Sequence, residues 1–221
     1  DTSLVEVVQD GATGMSSIFL SPDGTQMIGA FAGVGDELTA ARVLAALGGR
    51  EAKVALLQGE AGGELSLELA REGIAETVIL DPSPADWYVG RKLPGVDILT
   101  PNLTEARLLM GGAVFSAADL AERTGVDRVI VTKGARGAEL YDNGQSHELP
   151  GIAVQAVDTT GAGDAFNGAL AAALDRGEHL LDAAEYALRA AAWSGTQPYC
   201  MASYARAEQL DGWRTPNRVA L

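Results

Sequence analysis

The chain has 221 residues, enough for one large domain or two small ones with a substantial buried core. Thirty acidic residues against 16 lysines and arginines leave a formal charge of −14, which argues against a nucleic-acid partner. Apolar residues at 47% and charged residues at 21% exclude a disordered chain. The single cysteine, Cys200, excludes an internal disulfide, and with two histidines no Cys/His zinc cluster is expected. No apolar run approaches the roughly 20 residues of a membrane span, and the start lacks the pattern of a signal peptide. A soluble protein of the cytoplasm is expected. The chain begins Asp1-Thr2-Ser3 without a methionine, as processing or a fragment would leave it.

The elements follow in chain order. Met15–Leu20 and Gln26–Phe31 flank Ser21-Pro22-Asp23-Gly24, a strong turn signal, and predict a hairpin. Apolar residues at helical spacing predict a helix over Asp36–Leu47, stopped by Gly48-Gly49. The pattern then alternates. Strands are expected at Val54–Gln58, Thr77–Leu80, Val96–Thr100 and Arg128–Thr132, and helices at Glu64–Arg71, Thr104–Met110 and Ala117–Arg123. Alternation of this kind implies an α/β fold with a mostly parallel sheet wrapped by helices. Asp142-Asn143-Gly144 between Gly137–Tyr141 and Ser146–Leu149 predicts a second hairpin, so the sheet should be mixed. The last third reads as helical, at Ala165–Leu174, Leu181–Ala192 and Ala205–Leu210. No linker, repeat or low-complexity tract divides the chain, so residues 1–221 are expected to form a single domain.

The most informative stretch runs from Asp158 through Thr159, Thr160, Gly161, Ala162, Gly163, Asp164, Ala165, Phe166 and Asn167 to Gly168, where the apolar strand expected at Ile152–Val157 meets an alanine-rich helix. N–H groups at a helix N-terminus lack intrahelical partners and carry the positive end of the dipole. Gly161, Ala162 and Gly163 could therefore cradle an anion, with Asp164 placed to take a proton from an attacking hydroxyl. The plainer reading makes Asp164 an acidic first-turn residue and the glycines packing devices, and for a lone Gly-x-Gly that reading would prevail.

The whole string closely resembles the C-terminal signature of the ribokinase-like sugar kinases. The resemblance implies a three-layer sandwich around a mostly parallel sheet, with Asp164 as catalytic base and Gly161, Ala162 and Gly163 as the anion hole for the transferred phosphoryl group. Other segments fall in the family's order. Pro101-Asn102-Leu103-Thr104-Glu105 resembles its Asn-x-x-Glu motif, which implies that Asn102 and Glu105 organise Mg²⁺ through water. The same two residues also read as a helix-capping pair, and both roles can hold at once. Thr132-Lys133-Gly134-Ala135-Arg136-Gly137 resembles the turn that lies against the nucleotide, implying ATP contacts at Thr132, Gly134 and Gly137; an ordinary turn using glycine for positive φ is the local alternative. Leu56-Leu57-Gln58-Gly59-Glu60 looks like the string that ends a core strand in ribokinases proper, implying that Glu60 touches the sugar; it reads equally as a loop acid. Asp158 and Thr160 correspond to residues of a monovalent-cation (K⁺) site in many members. The later loop, Ala191–Ser203, resembles the family only loosely, and Tyr199 stands where a glycine is common. No Gly-x-x-x-x-Gly-Lys-Ser/Thr string is present, so a P-loop is not expected.

The resemblance covers the family's central and C-terminal parts. The N-terminal part, with its sugar-holding aspartate and half of a β lid, has no counterpart in these residues, and 11–32 resembles the remainder of that lid. Lid strands in this family often pair between subunits, so the resemblance allows a homodimer through the lid strands, with a monomer as the alternative. The expectation is an ATP-dependent kinase acting on a pentose or related sugar, with ribose favoured by the Leu-Leu-Gln-x-Glu string. The alternative is a non-catalytic nucleotide-binding module that lost sugar recognition with the missing segment.

Overall fold

The computed structural model describes residues 2–20, 26–50, 52–112 and 114–213. The turn expected at Ser21–Gly24 lies outside them. Two strands, β1 (Thr13–Leu20) and β2 (Gln26–Gly33), pair antiparallel and form a small sheet of their own. A six-stranded sheet forms the centre, in the order β3 (Ala52–Gln58), β4 (Ala75–Asp81), β5 (Ile98–Leu99), β6 (Arg128–Thr132), β7 (Gly137–Asp142) and β8 (Gln145–Pro150). The first four strands are parallel, and β7 and β8 add antiparallel, so the sheet is mixed as expected.

Strand alternation explains the three layers. Successive side chains point to opposite faces of a sheet. Val78, Leu80, Leu99, Val129 and Val131 pack on one face with α2 (Gly63–Arg71), α3 (Leu103–Met110) and α4 (Ala117–Thr124). Ile79, Ile98 and Ile130, each next in sequence to one of these, pack on the other face with α5 (Ala162–Asp175) and α6 (Leu180–Gly195). Being buried on both faces, the central strands read as continuous apolar runs. Helix α1 (Ala40–Leu47) precedes β3, and a short α7 (Ala207–Gly212) follows α6.

The expected β7–β8 hairpin is present: Asn143 (φ 46°) and Gly144 (φ 96°) form its tip, with Asp142 opposite Gln145. Three expectations need correction. The helix expected over Asp36–Leu47 is interrupted, because Val34–Glu37 forms a 3-10 turn and α1 starts only after Thr39, whose Oγ1 accepts from Arg42 N at 3.3 Å. Val96–Thr100 contributes only the two strand residues of β5, although Asp97 and Thr100 N–H still donate to Val78 O (2.9 Å) and Leu80 O (3.0 Å). Ile152–Val157 is not a strand. It leaves the sheet after β8 with Val157 exposed, and the Val157 N–H donates to Gly195 O (2.8 Å) at the end of α6 instead of to a neighbouring strand. No helix among the described residues is long and apolar enough to cross a membrane.

Candidate active site

Parallel strands end on one edge of a sheet, and the loops that follow them gather there. Strand β3 delivers Gln58, Gly59 and the exposed Glu60; β4 delivers Asp81; the segment after β5 delivers Asn102; β6 delivers Thr132. An isolated parallel bridge joins Asn102 to Thr132, and Thr132 N–H donates to Pro101 O (3.0 Å), so the two motifs expected at Mg²⁺ and at ATP adjoin. Helix α5 brings its N-terminus to the same edge from the opposite layer. The link is direct: Asn167 Nδ2, one turn beyond Asp164, donates to Asp81 Oδ2 at 3.1 Å.

At the start of α5, Gly161 is the N-cap in the left-handed region (φ 79°), and no side chain caps the helix there. A Cβ at Gly161 would lie 2.4 Å from Cys200 Sγ and 2.8 Å from Tyr204 Oη, so both conformation and space require glycine. Of the three residues expected to form the anion hole, Ala162 already directs its N–H to Thr159 O (3.2 Å), which leaves Gly161 and Gly163 as the better-placed donors. Asp164 is exposed on the first turn, and its Oδ2 accepts from Tyr204 Oη at 3.4 Å.

Asn102 and Glu105 form the capping pair. Asn102 Oδ1 accepts from Thr104 N (2.8 Å) and Glu105 N (3.0 Å), and Glu105 Oε2 accepts from Asn102 N (2.8 Å). The cap fixes the Glu105 carboxylate at the strand ends, where burial raises its pKa despite the hydrogen bonds from Asn102 and Ser83.

Asp81 was not singled out by sequence reasoning, and neither was Asn167, although it lies inside the signature string. The Asp81 carboxyl is pushed up to about 7, first by burial and then by the nearby negative charges of Glu105, Asp164 and Glu60, with a hydrogen bond from Gln58 opposing the rise. Asn167 is buried, and its Oδ1 has no hydrogen-bond partner. Crowded carboxylates beside an orphaned carbonyl oxygen are an all-oxygen environment that suits Mg²⁺. Among the described residues no three acidic, cysteine or histidine side chains come close enough to hold an ion by themselves. The residues therefore fit a cation held through water and phosphate oxygens.

The remaining expected residues are also placed. Gly134 (φ 60°) and Gly137 (φ 90°) shape the turn after β6, and a Cβ at Gly137 would lie 2.0 Å from Leu149 O. Lys133 beside them pairs with Glu139 (2.9 Å) and Glu148 (3.2 Å) and is engaged in holding the β6–β8 region. Asp158 Oδ1 accepts from Thr160 N at 2.9 Å. That bond, the Thr160 hydroxyl and the Tyr199 N–H hold its carboxyl below the usual range. Tyr199 itself adopts φ 67°, the conformation for which a glycine is commonly used.

The profile of the pfkB family carbohydrate kinases matches residues 1–207. A ribokinase of Haemophilus influenzae is 33% identical over 211 residues, a match covering 89% of this chain and 67% of the relative. A Staphylococcus aureus ribokinase is 27% identical, covering 96% and 73%. The crystal structure of a Thermotoga maritima ribokinase superposes with a TM-score of 0.75 at 30% identity, covering 91% of this chain and 69% of that one. The chain thus spans about two thirds to three quarters of the length of these relatives. It has the ribokinase fold, and it belongs to the pfkB family of carbohydrate kinases, phosphotransferases that act on sugars.

Proposed function

We propose that this protein transfers the γ-phosphoryl group of ATP to a hydroxyl of a pentose, with ribose as the preferred acceptor. The observation that carries the reading is the convergence, at one sheet edge, of Asp164 on the first turn of α5 with Asp81, Glu105 and Thr132 at the ends of the parallel strands.

In this reading Asp164 accepts the proton of the attacking hydroxyl, which a carboxylate held beside an acceptor can do. The N–H groups of Gly161 and Gly163, aided by the helix dipole, stabilise charge gathering on the phosphoryl oxygens. Mg²⁺, when bound, neutralises phosphate charge. Asn102, Glu105 and Asp81, with the Asn167 carbonyl, are the residues that would hold its waters. Thr132, Gly134 and Gly137 border the nucleotide, and Glu60 faces the sugar. Asp158 and Thr160 are assigned to fixing the loop before α5 rather than to a K⁺ ion, because the Asp158 carboxylate already receives the Thr160 and Tyr199 N–H groups. The β1–β2 sheet is assigned to the substrate lid and to pairing with a second subunit; Met15, Phe19, Met27 and Phe31 are exposed on it.

Ribose is favoured by the Leu56–Glu60 string and by the ribokinase identity of the Haemophilus and Staphylococcus relatives. Titration calorimetry with Mg-ATP present tests the choice. Ribose should bind more tightly than fructose, 2-keto-3-deoxygluconate or a nucleoside, and Glu60→Ala should weaken ribose binding about tenfold, the worth of a charged hydrogen bond. Tighter binding of a nucleoside would overturn the assignment.

A further inference from the structure

Tyr204 lies 40 residues beyond Asp164 in sequence, in the segment leading to α7, yet its hydroxyl reaches the carboxylate proposed as the base. Tyr204 Oη is 3.4 Å from Asp164 Oδ2 and 3.0 Å from Cys200 Sγ. The same oxygen lies against Gly161, at 2.8 Å from where a Cβ would stand. A hydroxyl that bonds to Asp164 beside the N-terminus of α5 occupies the kind of position that an acceptor hydroxyl must take. A cavity of about 340 Å³, lined by Asp164, Gly168, Ala172, Tyr204 and Leu210, adjoins the phenol and offers it room to withdraw.

We propose that Tyr204 is a positioning residue that acts through Asp164: its hydroxyl holds the carboxylate in the absence of sugar, yields that place to the sugar hydroxyl, and keeps water from taking it. This rests on the reading of Asp164 as the base. The reaction suppressed is ATP hydrolysis, in which a water oxygen bonds to the γ-phosphorus, the bond to the ADP oxygen breaks, and the water proton passes to Asp164. A kinase without such protection spends ATP whenever sugar is absent. The phenol suits the task because burial, the Cys200 contact and the charge of Asp164 all keep its pKa above the ordinary tyrosine value, so it remains a donor across the working range.

The test is Tyr204→Phe, which removes one oxygen and keeps the ring. Sugar-free ADP release should rise two- to tenfold and the KM for ribose should fall by a similar factor, the net worth of one hydrogen bond. The sugar-dependent kcat should change less. A fallen kcat with sugar-free release unchanged would overturn the proposal, since that is the mark of a merely structural role. A second readout does not depend on turnover. With tyrosine labelled with carbon-13 at Cζ, the Tyr204 resonance, identified by its loss in Tyr204→Phe, should move on Asp164→Asn and again on saturation with ribose. A resonance unmoved by both overturns the proposal. Failure of the base assignment is distinguishable, because it appears as retained sugar-dependent turnover in Asp164→Asn itself.

Discussion

Asp164→Asn should reduce sugar-dependent ADP release by about 100- to 10,000-fold, the usual worth of a general base, while leaving the fold and Mg-ATP binding in place. The separation follows from the environment of the residue. Asp164 is exposed on the first turn of α5, and its side chain accepts a 3.4 Å bond from Tyr204, which an amide oxygen can still receive. The core beneath is untouched, since Phe166 and Leu170 on the same helix carry the packing against Ile79, Ile98 and Ile130. The amide cannot accept the acceptor's proton, so only the chemical step is lost. Steady-state kinetics together with thermal unfolding of the variant check both halves. Turnover within a factor of a few of the wild type would remove Asp164 from the mechanism.

The second large effect concerns Asp81 and pH. Its carboxyl titrates near 7 in the folded chain, against about 3.9 when unfolded. Between those values the native state holds a proton that the unfolded state has released, so stability falls as pH rises. The contribution is fully present below about pH 4 and is lost as pH passes through about 7; the full span is on the order of a few kcal/mol. Asp81→Asn removes the charge while its side-chain oxygen can still accept from Asn167 Nδ2. The variant should match the wild type at pH 4 and exceed it in stability by a few kcal/mol at pH 8. Denaturant unfolding at the two pH values checks this, and parallel pH profiles for the two proteins would contradict it. The variant should nevertheless lose turnover, as expected where a functional site stores a destabilising charge.

Much of the fold is legible because its determinants are local. The apolar run Val78–Leu80 and its counterpart Val129–Val131 announce strands buried on both faces, and Asn143-Gly144 specifies the tip of the β7–β8 hairpin. The start of α5 is equally readable, since Asp158–Gly168 is one contiguous string whose loop and helix geometry follow from its own residues. Ile152–Val157 misleads for a physical reason: its apolar pattern suits a strand, but pairing needs a partner edge, and its backbone bonds to the end of α6 instead. Asp81 and Tyr204 are invisible for a different reason. Asp81 meets Asn167, 86 residues away, where the sheet and the α5 layer join, and Tyr204 meets Asp164, 40 residues away, where the segment after α6 folds back over the start of α5, so each acquires its chemistry only from tertiary contacts. A proline-flanked aspartate ending an apolar strand, Asp81-Pro82-Ser83-Pro84, is the one local signal that points to the first. No comparable signal points to Tyr204.

In the proposed function the N-terminus of α5 and the acidic strand ends form a phosphoryl-transfer site for a sugar. The measurement that tests it most directly is coupled ADP release by the purified 221-residue chain, its intact mass verified, with Mg-ATP in the presence and absence of ribose. Release should depend on ribose and yield one phosphorylated sugar for each ADP formed. ATP bound with no release on ribose or on any other sugar would contradict it.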